Sequence, residues 1–127
     1  MGVVTEKARW HVGTLAQLEE QDRLFAEVAG REVCVFHTPA GPRAYENHCS
    51  HLGGPVCQGK LVPKVTAVLD EQKAIVEERF DREQMRIACP WHGWEFDLET
   101  GRSVIDRRVR LRRFDVVEEQ GELYVVA

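Results

Sequence analysis

Two short stretches decide how this 127-residue chain is interpreted: HCSHLGGP at residues 48–55 and CPWHGW at residues 89–94. Each contains one cysteine and one histidine, but one residue separates Cys49 from His51 and two separate Cys89 from His92. Residues two apart do not share a helix face, and the flanking glycines permit sharp turns and close backbone approach. The pattern therefore predicts two loops, each offering one thiolate and one imidazole to a metal site.

Two kinds of metal site fit this ligand set. A single zinc ion accepts two cysteines and two histidines in tetrahedral geometry, which would make the chain a zinc-stabilised binding module. A 2Fe–2S cluster can instead take two thiolates on one iron and two imidazoles on the other. Zinc fingers usually pair cysteine with cysteine and histidine with histidine, whereas each loop here mixes the two. The mixed loops favour the dinuclear cluster, and zinc remains the alternative.

Composition excludes several classes of function. The net charge of −4 argues against nucleic acid or an anionic membrane as the main partner. The sequence shows neither a secretory signal nor an apolar run of about 20 residues that could span a membrane, so we expect a cytoplasmic protein. Of the four cysteines, Cys34 and Cys57 lie outside the Cys/His pairs. We expect these two to be small buried hydrophobic residues, since the paired cysteines point to metal rather than to disulfides.

The rest of the chain predicts an all-β fold in one domain, residues 1–127. Short β-rich runs alternate with Gly, Pro and Asn throughout; the candidate strands are residues 9–12, 24–28, 32–37, 43–46, 85–88, 94–97, 113–117 and 123–126. Residues 60–83 can be threaded either as one helix or as two strands around a polar turn. The β-rich surroundings favour the hairpin.

The paired stretches resemble the two cluster-binding motifs of the Rieske family, from Cys49 to Pro55 and from Cys89 to Trp94. The resemblance implies an antiparallel β-sandwich with a small cluster-binding subdomain, at about residues 47–97, that here carries an insertion at about residues 60–83. It also implies one 2Fe–2S cluster per chain, with Cys49 and Cys89 on the buried iron and His51 and His92 on the outer iron.

The function implied by this resemblance is one-electron carriage. Such a ferredoxin-like component passes electrons between a reductase and a partner oxygenase or another oxidoreductase, and is not itself an enzyme. Respiratory members of the family carry an extra cysteine in each motif, and these two form a disulfide that braces the loops. Gly54 and Trp91 stand at those positions here, so we expect no such brace and a potential near the low end of the Rieske range, about −150 to +300 mV.

Two further features allow more than one interpretation. The basic run at residues 107–113 alternates Arg110 and Arg112 with Val109 and Leu111, which predicts a solvated strand face or, alternatively, a docking surface for an acidic partner. Trp91 could either pack the subdomain or contact a partner, whereas Trp94 is expected to pack the core.

Overall fold

The computed structural model describes residues 7–49, 53–91 and 93–127, and in these ranges the fold is built from antiparallel β-strands. One α-helix, α1, is described, and it is too short to cross a membrane. The elements in chain order are β1 (Arg9–Thr14), α1 (Leu15–Gln21), β2 (Arg23–Val28), β3 (Arg31–Thr38), β4 (Gly41–Glu46), a 3-10 helix (Val56–Gln58), β5 (Lys60–Leu69), β6 (Ile75–Ala88), β7 (Glu95–Asp97), β8 (Arg113–Glu119) and β9 (Glu122–Val126).

Six strands form the larger sheet, in the order β1-β9-β8-β4-β3-β2. Tight turns join its hairpins, and the central residues of two of them have positive φ, namely Ala29-Gly30 and Gln120-Gly121. Two-residue turns of this hand match the right-handed twist of the strands that they join. All-β architecture and the predicted strands of this sheet are thus confirmed.

The smaller sheet contains β5, β6 and β7 in that order. Its long β5–β6 hairpin takes up residues 60–83, so the hairpin interpretation of this segment is confirmed and the helical one is wrong. Strands β5 and β6 pair along their length, with Lys60 opposite Ala88 at one end and Leu69 opposite Ile75 at the other. The predicted strand at residues 85–88 is the end of the same strand β6, which leads directly to Cys89. The predicted insertion therefore comprises all of β5 and most of β6, and the last residues of β6 lead to the second Cys/His loop.

Strand β3 is buried on both faces and separates two hydrophobic cores. Val33 and Val35 pack with Leu18 of α1 on one side. Cys34 and Phe36, which alternate with them and so face the other way, pack against residues of the smaller sheet. The continuous apolar run at residues 33–36 reflects this double burial. All four cysteines of the chain lie in the second core, so that core positions the candidate site.

Candidate metal centre

The two Cys/His loops close with the same pattern of backbone hydrogen bonds. The N–H of Cys49 donates to the carbonyl of Gly54 and the N–H of Cys89 to that of Trp94, each at 2.7 Å and each five residues along. In both loops the residue four positions after the cysteine is a glycine with positive φ, +75° at Gly53 and +68° at Gly93. Its N–H returns to the cysteine carbonyl, at 2.7 and 3.2 Å respectively. The described residues of the two loops therefore close them in the same way, although the histidines stand at different positions of the sequence.

These loops bring Cys49 and Cys89 together inside the protein. Both thiols are free and buried, with exposures of 1% and 2%, and they lie in the same hydrophobic core. Burial raises the pKa of the Cys89 thiol; the backbone N–H of Trp91 opposes this increase and the Cys49 side chain adds to it. The predicted partners His51 and His92 lie outside the described residues.

Gly54 and Trp91 provide a second contact between the loops. A Cβ atom on Gly54 would lie 2.9 Å from the Trp91 ring and 3.0 Å from the Cys89 sulfur, which is closer than side-chain atoms pack. Trp91 thus lies against one loop from the other while half of its surface, 51%, stays exposed. These are the two positions at which the respiratory Rieske proteins carry their bracing cysteines. Here an indole ring packed on a glycine joins the loops at that point.

Cys34 and Cys57 form a disulfide, with their Cα atoms 5.9 Å apart. Their predicted burial is confirmed, since both are fully buried, but the prediction that they are unpaired hydrophobic residues is wrong. The bond joins β3 of the larger sheet to the 3-10 helix that follows the first Cys/His loop. No local sequence motif indicates a disulfide between cysteines 23 residues apart, because this pairing depends on how the two sheets pack.

Two polar side chains that the sequence did not single out also hold the 3-10 helix in place. Arg23 of β2 donates from Nη1 to the carbonyls of Cys57 and Gly59, at 2.9 and 2.7 Å. Asn47, between β4 and Cys49, accepts the Cys57 N–H at 2.8 Å through Oδ1. Buried backbone groups that lack a sheet partner need such bonds. Together with the disulfide, they tie the segment after the first loop to the larger sheet.

For Trp94 and the basic run at residues 107–113, the observed burial agrees with the predictions made from the sequence, and one predicted strand is corrected. Trp94 is half-buried and packs against the cysteine-containing core, as predicted. In the basic run, Leu111 is buried and Val109 half-buried while the intervening arginines are exposed. The strand predicted for that run is wrong before Arg113, where β8 begins. The segment is a loop instead, joined to Arg102 by an isolated antiparallel bridge at Arg110.

Comparison with known proteins agrees with this geometry. Residues 9–115 match the family described as the Rieske [2Fe-2S] domain. A human Rieske domain-containing protein is 30% identical over 90 residues, which make up 71% of this chain but only 46% of the human protein. The chain thus spans about half the length of the curated relative that it matches.

Two solved structures share the fold. The ferredoxin of carbazole 1,9a-dioxygenase from Nocardioides aromaticivorans is 26% identical, with 93% of this chain and 96% of that one covered at a TM-score of 0.64. A chain from a complex of reduced oxygenase and oxidized ferredoxin in carbazole 1,9a-dioxygenase is 21% identical, with 92% and 91% covered at a TM-score of 0.65. On its twin loops, its antiparallel sheets and the match over residues 9–115, the chain belongs to the Rieske [2Fe-2S] domain family, whose cofactor is a 2Fe–2S cluster.

Proposed function

We propose that the chain is a one-electron carrier, a ferredoxin-like component that passes electrons between a reductase and a terminal oxygenase or a similar oxidoreductase. The observation that carries the proposal is the pair of free thiols that are buried in one core at equivalent positions of two loops. The cluster, when bound, supplies the one-electron chemistry. The chain itself supplies the ligands, their orientation and the exclusion of water.

The ligand set that we propose is Cys49, His51, Cys89 and His92. The described half of the set fits the cofactor: two free thiols lie in one buried core, and the absence of a side chain on Gly54 leaves room beside the Cys89 sulfur. Burial disfavours a bare thiolate at Cys89, and a positively charged iron would offset that cost because metals bind the deprotonated form. We place the histidines on the outer iron on the strength of their positions in the two motifs.

The surroundings of the thiols support a carrier. Apolar side chains that include Phe96 and Ile87 pack around the two cysteines and are fully buried, which keeps water from the sulfur side of the site. Trp91 lies beside the thiols and exposes half of its surface. An exposed indole next to a redox centre is suited to contact with another protein, since tryptophan is enriched at interfaces. The carbazole dioxygenase ferredoxin offers the analogy for an oxygenase as that protein.

The cofactor and its ligands are tested on the purified chain. We expect a red-brown protein that contains two irons and two labile sulfides per chain and takes up one electron. Cys49→Ser and Cys89→Ser should abolish cluster assembly, and His51→Ala and His92→Ala should lose or destabilise the histidine-bound iron. Cys34→Ala/Cys57→Ala is the matched control, which removes two buried cysteines and should keep the full visible spectrum.

The outcomes separate the carrier from its alternative. A colourless protein with one zinc ion per chain would establish the zinc-stabilised binding module instead. Loss of visible absorption in the folded Cys34/Cys57 variant would refute the ligand assignment. A loaded protein that takes up an electron but passes none to an oxygenase or reductase system would refute the proposed role while leaving the cofactor intact.

The cytoplasmic location stays a prediction. The disulfide between Cys34 and Cys57 is of a kind that oxidising compartments maintain and that the reduced cytosol usually does not. Trapping the thiols with an alkylating reagent directly in the cells that make the protein would decide the redox state there. Two alkylated side chains at these positions would agree with a cytoplasmic location.

A further inference from the structure

A strongly basic cleft of about 910 Å³ lies on the flank of the smaller sheet. Its wall is formed by β6 and β7 on one side and by the segment at residues 100–113 on the other. Lys64 and six arginines line it: Arg86, Arg102, Arg107, Arg110, Arg112 and Arg113. The chain as a whole carries a net charge of −4, so the charge of this cleft is opposite in sign to that of the whole chain.

Among the described residues that line the cleft, few carboxylates offset its positive charge. Asp97 is the acidic residue among those that line it, and its Oδ1 already accepts the N–H groups of Glu99 and Thr100 at 2.8 and 3.0 Å. Arg86 approaches Glu95 only to 3.9 Å. Within the described part of the chain, no ion pair is formed by Arg102 or Arg107. The charges of Arg102 and Arg107 are therefore available to a ligand.

The backbone holds these charges together against their mutual repulsion. Arg102 and Arg110 stand directly opposite each other in an antiparallel bridge, a placement in which like charges destabilise a β-pair. Adjacent bonds fix this arrangement, from the Ser103 N–H to the Val109 carbonyl and from the Leu111 N–H to the Gly101 carbonyl, both at 2.8 Å. The backbone that carries these two arginines is therefore held in place by its own hydrogen bonds.

The lining also indicates the chemistry of the ligand. None of the described residues that line the cleft is aromatic, so a nucleotide base would have no ring to stack on. Carboxylates are recognised well by arginine, whose planar guanidinium can bind both oxygens at once. An extended acidic segment of a polypeptide supplies several carboxylates along one cleft.

The position of the cleft connects it to the metal centre. Arg86 precedes Cys89 by three residues on β6 and its continuation, which is about 10 Å along a strand. We propose that this cleft docks an acidic segment of the protein with which the chain exchanges electrons. The proposal rests on the proposed function, because it names the chemistry of the redox partner. Docking there would hold the partner beside the second Cys/His loop, and complementary charge would accelerate the encounter.

The test uses the cluster-loaded full chain and a hexaglutamate peptide as the probe, titrated by calorimetry at low salt. We expect saturable binding that weakens as salt is added. Arg102→Gln/Arg107→Gln should reduce the affinity about tenfold, since each lost ion pair contributes modestly at a solvent-exposed site. Lys73→Gln/Arg79→Gln is the matched control, because it removes the same charge from exposed positions outside the cleft and should leave the affinity within about twofold.

Three results would overturn the proposal: no saturable binding, equal loss in both double variants, or binding of tripolyphosphate in preference to the peptide. The last would assign the cleft to a phosphate-bearing ligand. The visible spectrum and the one-electron uptake are recorded on the same samples. If they are normal while the peptide result is negative, the docking proposal fails alone. If the protein lacks a reducible cluster, the proposed function fails first and independently.

Discussion

Reduction of the Cys34–Cys57 disulfide should destabilise the fold substantially. The bond closes a loop across 23 residues of sequence, and in the chain-entropy model a cross-link of that span contributes about 3.4 kcal/mol by restricting the unfolded chain. Both sulfurs lie close to the Tyr45 carbonyl, at 3.6 and 3.8 Å. That oxygen can accept a hydrogen bond from a reduced thiol, so we expect the reduced protein to remain folded but to be less stable.

The measurement is urea unfolding followed by far-UV circular dichroism, with and without a thiol reductant. For a denaturant slope of about 2 kcal/mol per M, the midpoint should fall by about 1.7 M in the reduced protein. Cys34→Ala/Cys57→Ala serves as the control, and its midpoint should be as low as that of the reduced wild type and insensitive to the reductant. An unchanged wild-type midpoint would refute the entropic argument. If the reductant lowers the midpoint of the control as much as that of the wild type, the reductant acts elsewhere, at the cluster or its ligands.

Three other substitutions test the packing of the site and of the sheets. Gly54→Ala should lower the visible absorption per chain, because the added methyl group would lie 3.0 Å from the Cys89 sulfur; a fully loaded variant would contradict this. Burial raises the pKa of Tyr45 to about 12. The stability of the folded chain should therefore be unaffected by this group below pH about 10 and should fall by about 3 kcal/mol as the pH rises to about 12, because the unfolded chain ionises first. Tyr45→Phe should remove this loss of stability at alkaline pH. At neutral pH it should cost about 1–3 kcal/mol, because the Leu98 carbonyl loses its 2.6 Å hydrogen bond from the Tyr45 hydroxyl. An unaltered pH profile of the unfolding free energy would refute the assignment. Thr14→Ala removes the side chain that caps α1 and should cost about 1 kcal/mol in thermal unfolding, whereas Thr14→Ser should cost less.

Most strands of the fold could be predicted from the sequence, because each strand or turn is indicated by a short continuous stretch of residues. A strand is indicated by a pattern of four to eight residues and a tight turn by two, so the strands of the larger sheet could be predicted. The basic run shows where such reasoning stops. Its alternation of apolar and basic residues matches the observed burial, yet residues 107–112 form a loop, because a strand also needs a neighbour with which to pair.

What the sequence by itself determined is the pair of loops: the residue types and spacings around Cys49 and Cys89 predict two glycine-closed loops, and the structure shows both cysteines buried in one core. The cysteine and histidine of one loop are near neighbours in the chain, so their spacing can be read from the sequence alone. Only the tertiary structure decided that Cys34 meets Cys57, that Trp91 lies on Gly54 and that arginines from separate segments line one cleft. Each of these contacts joins residues of different elements, and their proximity depends on how the two sheets pack, for which no short stretch of sequence carries a signal.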